Sequence, residues 1–458
     1  MNFKIFLFSL LITLFYTHIF SNTCSKIDGD SLVSAKDKKT AKIYLENGLK
    51  MFEDGKYRLA LIEFKSSSQK DKTNDLVFYW LGKCHFELKN YGYALNYSRQ
   101  ANLMSKKVQN DYLFLLGKSY HQNNKVDSAL LIYNQLNILL TKKMKLDYRI
   151  DDLIASCNYY KHEIDTGKVN LRQLFSSKIN SSFNDYAPVL IKNGKEIYFT
   201  SRRENTTGGK NNPDDEQYFE DNYRAVWNEN SNQWDSVSNS LERINSQGFD
   251  CISYLTQDGL KGLMTQNTTA TSYKETTKSS DICEISFSNK GKWQSPKIID
   301  NKSINTEFFD GAATMTSDGN YMYFVSDRKA NKSKTDIYVV AKEGNKWGEA
   351  KLVSDSINTP YRETTPFITP DNRFLFFSSD GHNGFGGYDI FVSENLGDTW
   401  TKPVNLGLEI NSVNDDTHLQ YYPKLNKIVF SSYTLEYLKS SIDIFEIDLN
   451  KYKLPKTK

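Results

Sequence analysis

The 458-residue chain reads as an α+β multidomain protein in which an α-helical repeat solenoid precedes a five-bladed β-propeller. Three observations predict this. Gly48, Gly82 and Gly117 recur 34 and 35 residues apart, each followed twelve residues later by an alanine. Ile-Asn pairs recur five times from residue 179 onward. The 29 Tyr, 27 Phe and 6 Trp fall mostly beyond residue 180, and such rings favour pleated, half-buried strands. The length allows two to four domains. Lys+Arg 58 against Asp+Glu 55 leaves a formal charge of +3, which lacks the broad basic footprint of a nucleic-acid binder. With 39% hydrophobic and 25% charged residues the composition is globular.

Residues 1–23 read as a signal peptide. Lys4 precedes an apolar run from Ile5 to Phe20, short for a membrane span but fitting a secretory leader; the alternative is a retained N-terminal anchor. Export would place the protein in the periplasm or on the periplasmic face of the outer membrane. Cys24 follows directly and is a candidate for lipidation, which would give membrane association, although Ser21-Asn22-Thr23 lacks the aliphatic and small residues usual before a lipidated cysteine. Residues 24–39 read as a linker. Cys84, Cys157, Cys251 and Cys283 match neither a disulfide framework nor a CxxC metal site and read as buried small hydrophobes.

Residues 40–165 carry the helical repeats. The alanines that follow the glycines are Ala60, Ala94 and Ala129; Leu81-Gly82 and Leu116-Gly117 repeat a pair, and Phe64 and Tyr133 hold a large position after the alanine. Glycine and alanine would let the two helices of a hairpin approach closely. A final helical stretch, Leu146 to Glu163, lacks the signature, as a capping helix should. The period and residues resemble the tetratricopeptide repeat. That resemblance implies a groove for peptides or partner domains; the bland alternative is a rigid spacer.

Residues 166–458 change to short strands and turns. The pairs Ile179-Asn180, Ile244-Asn245, Ile304-Asn305, Ile357-Asn358 and Ile410-Asn411 mark five units. Five residues after each asparagine stands an acid: Asp185, Asp250, Asp310, Glu363 and Asp416. Hairpin turns follow, such as Asn193-Gly194 and Asp318-Gly319. The third strands open with Asp281-Ile282, Asp336-Ile337, Asp389-Ile390 or Asp443-Ile444, and the fourth near Trp234, Trp293, Trp347 and Trp400. Four strands in each of five units make a propeller. The last unit runs out of chain before its fourth strand, so residues 171–178 are expected to supply it and close the ring, covering an otherwise open edge.

Phe324-Val325-Ser326-Asp327-Arg328 and the run Asp380 to Phe391 resemble the TolB-type, WD40-like propeller repeat over about 170–450. Tetratricopeptide repeats before such a propeller resemble bacterial envelope proteins of the PorE/OmpA-like group, accessory to type IX secretion. The resemblance implies an envelope adaptor bound to envelope or secretion-system proteins. This sequence departs from the group at its end, since no OmpA-like module follows, so direct peptidoglycan binding is not expected of it.

The five repeated acids are the candidate site. At a channel mouth they would attract a cation or a basic peptide; as turn acceptors they would only fix loops. Asp281, Asp336, Asp389 and Asp443 read as turn-fixing. The Asp380–Tyr388 loop, rich in glycine, reads as structural, and residues 204–222 as a polar, disordered insertion. His85, His121, His162, His382 and His418 show no metal-ligand spacing and read as ordinary surface or hydrogen-bonded residues. No Gly-x-Ser-x-Gly or His-Glu-x-x-His occurs, and Gly117-Lys118-Ser119 fails as a phosphate loop because Tyr112 stands where the first glycine is required. No catalytic residue and no cofactor are expected. The reading is a non-enzymatic adaptor whose helical groove and propeller faces are separate surfaces; the alternative is a glycan-binding or glycan-hydrolysing propeller.

Overall fold

The computed structural model describes residues 33–457 apart from 210, 213–216, 242, 268–279, 329–333 and 437–438. The leader and Cys24 therefore lie outside the described residues. Eight helices come first among those described: α1 Ala35–Glu53, α2 Tyr57–Lys70, α3 Asp75–Glu87, α4 Tyr91–Met104, α5 Asn110–Gln122, α6 Val126–Leu139, α7 Lys142–Asp147 and α8 Ile150–Asp165. The first helix starts inside the stretch read as a linker. Ser34 caps it, accepting the Asp37 N–H at 3.0 Å, a local signal that the 34-residue period does not reach.

The repeat residues meet as hairpin packing requires. A Cβ on Gly48 would come within 2.5 Å of the Phe64 ring, and one on Gly117 within 2.8 Å of Tyr133. Ala60, Ala94 and Ala129 are wholly buried at the same contacts. Helices α1–α6 form three tetratricopeptide-like hairpins, and α8 packs on α6 to end the array.

Five antiparallel sheets of four or five strands follow. In blade four, for example, Glu363–Ile368 lies innermost, then Phe374–Ser379, Asp389–Glu394 and the short Val404–Asn405. Beyond blade one, whose fourth strand runs Gln233–Ser238, the fourth strands are fragments. Trp293 and Trp400 sit in isolated bridges, and the paired residues Lys297–Ile298 and Val404–Asn405 come later. In blade three the pairing is split between Lys346–Trp347 and Lys351–Leu352.

The fifth sheet is completed by the N-terminal side of the propeller. Gln173 and Leu174 pair antiparallel with Glu446 and Phe445, and the Phe175 N–H donates to the Ile444 carbonyl at 2.9 Å. The paired segment is two residues long, shorter than the 171–178 expected from spacing. Arg172 extends its hold by donating to Asp416 at 3.2 Å and Ser432 at 2.8 Å. After the last strand the chain returns to blade four, where the buried Tyr452 donates to the Leu406 carbonyl at 2.7 Å.

One contact ties each blade to the next. The isoleucine of every Ile-Asn pair is wholly buried. The asparagine amide behaves as a spare peptide group. Asn411 accepts the Ile390 N–H at 2.8 Å and donates to the Ile390 carbonyl at 2.9 Å. Asn305 does the same to Ile282, Asn358 to Ile337, Asn180 to Ile444 and Asn245 to Asn222. In four cases the partner is the second residue of the preceding blade's third strand, and Ile444 is the sixth residue of the longer Lys439–Asp448. Asn411→Ala would leave both backbone groups of buried Ile390 without these partners, and denaturant unfolding should show a loss of about 1–3 kcal/mol. A loss below about 0.5 kcal/mol would show that the clamp contributes little.

Candidate functional site

The five repeated acids open the innermost strands and are wholly buried. Each is consumed by its own turn. One Asp310 oxygen accepts the Thr306 N–H and hydroxyl, both at 2.6 Å; Asp185 and Asp416 repeat this with Ser181 and Ser412, Glu363 takes the Thr359 N–H on Oε2 and its hydroxyl on Oε1, and Asp250 accepts the Ser246 N–H. Asp185, Asp310 and Asp416 also face Arg203, Arg328 and Arg172. Asp250 and Glu363 face the neutral Gln266 and Ser379 instead. Among the described residues no group of three or more His, Cys, Asp or Glu is placed to hold a metal ion. The geometry is that of turn acceptors.

The channel between the innermost strands is nearly filled. Ala187, Ala312, Thr365 and His418, each two residues after an acid, adopt positive φ of 46–54° in a bulge. The bulge turns the Ala187, Ala312 and His418 N–H groups toward hydroxyls of the preceding blade. A hollow of about 20 Å³ lies between the innermost strands, lined by apolar groups with Ser253, Thr365, His418 and Gln420, which is room for about one water. A saccharide does not fit there, and no carboxylate lines it among the described residues.

Burial raises the carboxyls of Asp250, Glu363 and Asp416. It pushes the Asp250 carboxyl up to about 7 against hydrogen bonds from Gln266 and Ser246, and Asp416 up to about 6 despite Arg172. The folded values exceed the ordinary unfolded carboxylate value, so the folded state holds these protons longer. Stability from this source is greatest below about pH 4 and is lost as pH rises toward 7. Asp250→Asn should flatten the fall in unfolding free energy between pH 5 and 7.5; an unchanged slope would contradict the assignment.

The helical array and the propeller share a buried interface, contrary to the expectation of separate surfaces. Phe385, in the glycine-rich loop, is wholly buried against the array, its ring 4.8 Å from Tyr159 and 5.9 Å from Tyr160. Val413 joins the core of α5, α6 and α8. Gln122 donates to the Val413 carbonyl at 2.9 Å, and Lys89 pairs with Asp415 at 3.1 Å. His121 is buried under Gly386, whose missing Cβ would come within 3.0 Å of its ring, and burial holds it down at about 4. His85 is buried too, so neither is a surface residue. The insertion is also ordered where described: Thr207 donates twice to Asp221, and Phe219 is buried on Phe249.

Between the two parts lies a cleft of about 520 Å³. The array contributes Phe86, Phe114, Lys118 and Tyr148; the propeller contributes Arg362 and residues 380–388. Arg149, at φ 54°, lays its guanidinium 3.4 Å from the Tyr361 ring centroid and donates to the Asp380 carbonyl at 2.8 Å. Arg362 makes two bonds to Asp380 Oδ2, at 2.7 and 3.0 Å. None of these residues stands out as a site in the sequence, because they come from segments more than 200 residues apart. A second hollow of about 630 Å³ lies between blades one and two, but its buried Glu196 is already taken by Lys192, Tyr198 and Arg224.

No family model matches the chain, and no curated protein matches it. Among solved structures, the array is similar to the first TPR of Spaghetti (RPAP3) bound to an HSP90 peptide, at 20% identity, covering 26% of this chain and 95% of that one, TM-score 0.24. It is also similar to the Yersinia enterocolitica secretion chaperone SycD in complex with a YopD peptide, at 18% identity, 28% and 99% coverage, TM-score 0.26. The propeller is similar to an endo-arabinase from Bacteroides thetaiotaomicron, at 12% identity, 60% and 97% coverage, TM-score 0.37. At such scores these likenesses carry neither partner nor chemistry over to this chain.

Proposed function

We propose that the protein is a non-enzymatic adaptor of the bacterial cell envelope, in which the helical array and the propeller grip partner proteins as one unit. The observation that carries this reading is the interdomain cleft, walled by aromatic and charged side chains from both parts and open to a ligand. Export to the periplasm, association with the outer membrane and a place in type IX secretion or envelope anchoring rest on the apolar run from Ile5 to Phe20 and on the sequence resemblance. The repeated acids support a binding role, because each is held by its own turn and none is offered as one of a pair for hydrolysis.

The test is crosslinking of the full-length protein in intact cells, with captured chains identified, alongside incubation with envelope polysaccharides. The expected result is a reproducible set of envelope proteins and no release of reducing ends. Polysaccharide turnover that survives Lys118 and Arg362 substitutions would contradict the adaptor reading and favour a hydrolytic propeller.

A further inference from the structure

Among the described residues, the cations lining the cleft are each in an ion pair, apart from Lys118. Lys89 has Asp415, and Arg362 has Asp380. Arg149 has Asp152, at 2.9 Å, and the Asp380 carbonyl. Lys118, one residue after the close-packed Gly117 of α5, points its ammonium between two phenyl rings, 4.9 Å from the centroid of Phe86 and 5.9 Å from that of Phe114. No described residue gives it a hydrogen bond or an ion pair. Desolvation, with Lys89 and Arg362 nearby, holds its proton more loosely than an ordinary lysine does, against the opposite pull of Glu87 and Asp415. Lys118 is half-buried, and cation–π contact stabilises its ammonium only in part where no hydrogen bond or ion pair is made.

We infer that Lys118 is the anchor of a ligand site in the cleft, and that the ligand is a carboxylate on a short apolar stem, a glutamate side chain of a partner polypeptide. The shape of the site selects this chemistry. Phe86 and Phe114 flank the ammonium, and Tyr148 stacks on Phe114 with centroids 4.4 Å apart, so methylene groups behind the carboxylate would lie on apolar ring faces. A bare phosphate would satisfy the charge and leave the rings uncovered. The opposite wall is the loop of Gly381, Gly384, Gly386 and Gly387, whose missing side chains would each meet the protein's own atoms, so that this wall is packed backbone. The cleft volume falls within the range of small-ligand sites, so a few residues of the partner enter it. This inference rests on the adaptor reading and names the chemistry of its partner.

The experiment is calorimetric titration of the full chain at low salt with end-blocked hexaglutamate, end-blocked hexaglutamine and inorganic phosphate. Hexaglutamate should bind, hexaglutamine should not, and Lys118→Met should weaken hexaglutamate binding about tenfold or more while Lys118→Arg largely retains it. If the Met variant fails to fold, the ε-methyl signals of reductively methylated native protein serve instead: the Lys118 resonance should shift on adding hexaglutamate. Binding unaffected by Lys118→Met, an unmoved resonance, or phosphate binding more tightly than the peptide would each overturn the inference. If hexaglutamate does not bind while crosslinking still captures envelope proteins, this inference falls and the adaptor reading stands.

Discussion

The amide of Asn411 takes the place of a peptide group beside Ile390, and the same device recurs at Asn180, Asn245, Asn305 and Asn358. Each amide occupies a main-chain N–H that the outer strand of the preceding blade leaves open, and so ties one sheet to the next. The next residues of the chain follow from it. Once the asparagine is anchored, the turn brings the acid four residues back onto a Ser or Thr N–H, and the innermost strand starts at a set height in the ring. Five such anchors set the spacing of the inner strands, and the bulges at Ala187, Ala312, Thr365 and His418 then nearly fill the channel.

The same anchor places the site. Asp389 directly precedes Ile390, and its carboxylate accepts the Phe385 N–H at 2.8 Å, which holds the glycine-rich loop in the conformation that delivers the Phe385 ring to Tyr159 and Tyr160. Asp415, one residue before the acid of blade five, accepts the Tyr388 N–H at 3.1 Å and the Lys89 ammonium. A turn that in other blades serves only the propeller here carries the helical array as well. The cleft is the gap left where the helices rest on this loop, on Val413 and Asp415 of the next turn, and on Tyr433 and Ser440 of blade five.

Repetition made the fold legible. The glycine-to-alanine spacing is read directly from the chain because hairpin packing demands small residues at those points, and the Ile-Asn pairs are read because each blade needs its clamp. Local features that do not repeat escaped notice, such as the Ser34 cap that starts α1 at Ala35 and the short, split fourth strands. The repeated acids were legible as positions, and their periodicity pointed to scaffold rather than chemistry. The cleft was not legible. Lys89 meets Asp415 across 326 residues, and Arg149 meets Asp380 across 231, with no pattern near either member of each pair. An aromatic residue inside an otherwise glycine-rich loop, Phe385, was the available hint that the loop had a partner to reach.

The central claim is that the array and the propeller form one cooperative body through the loop of blade four. Calorimetric unfolding of the full chain, compared with Phe385→Ala, tests it most directly. Removing a wholly buried ring should cost about 3–5 kcal/mol at the interface. A single transition in the native chain that splits into two in the variant is the predicted result. Two independent transitions in the native chain, or an unchanged single transition in the variant, would contradict it.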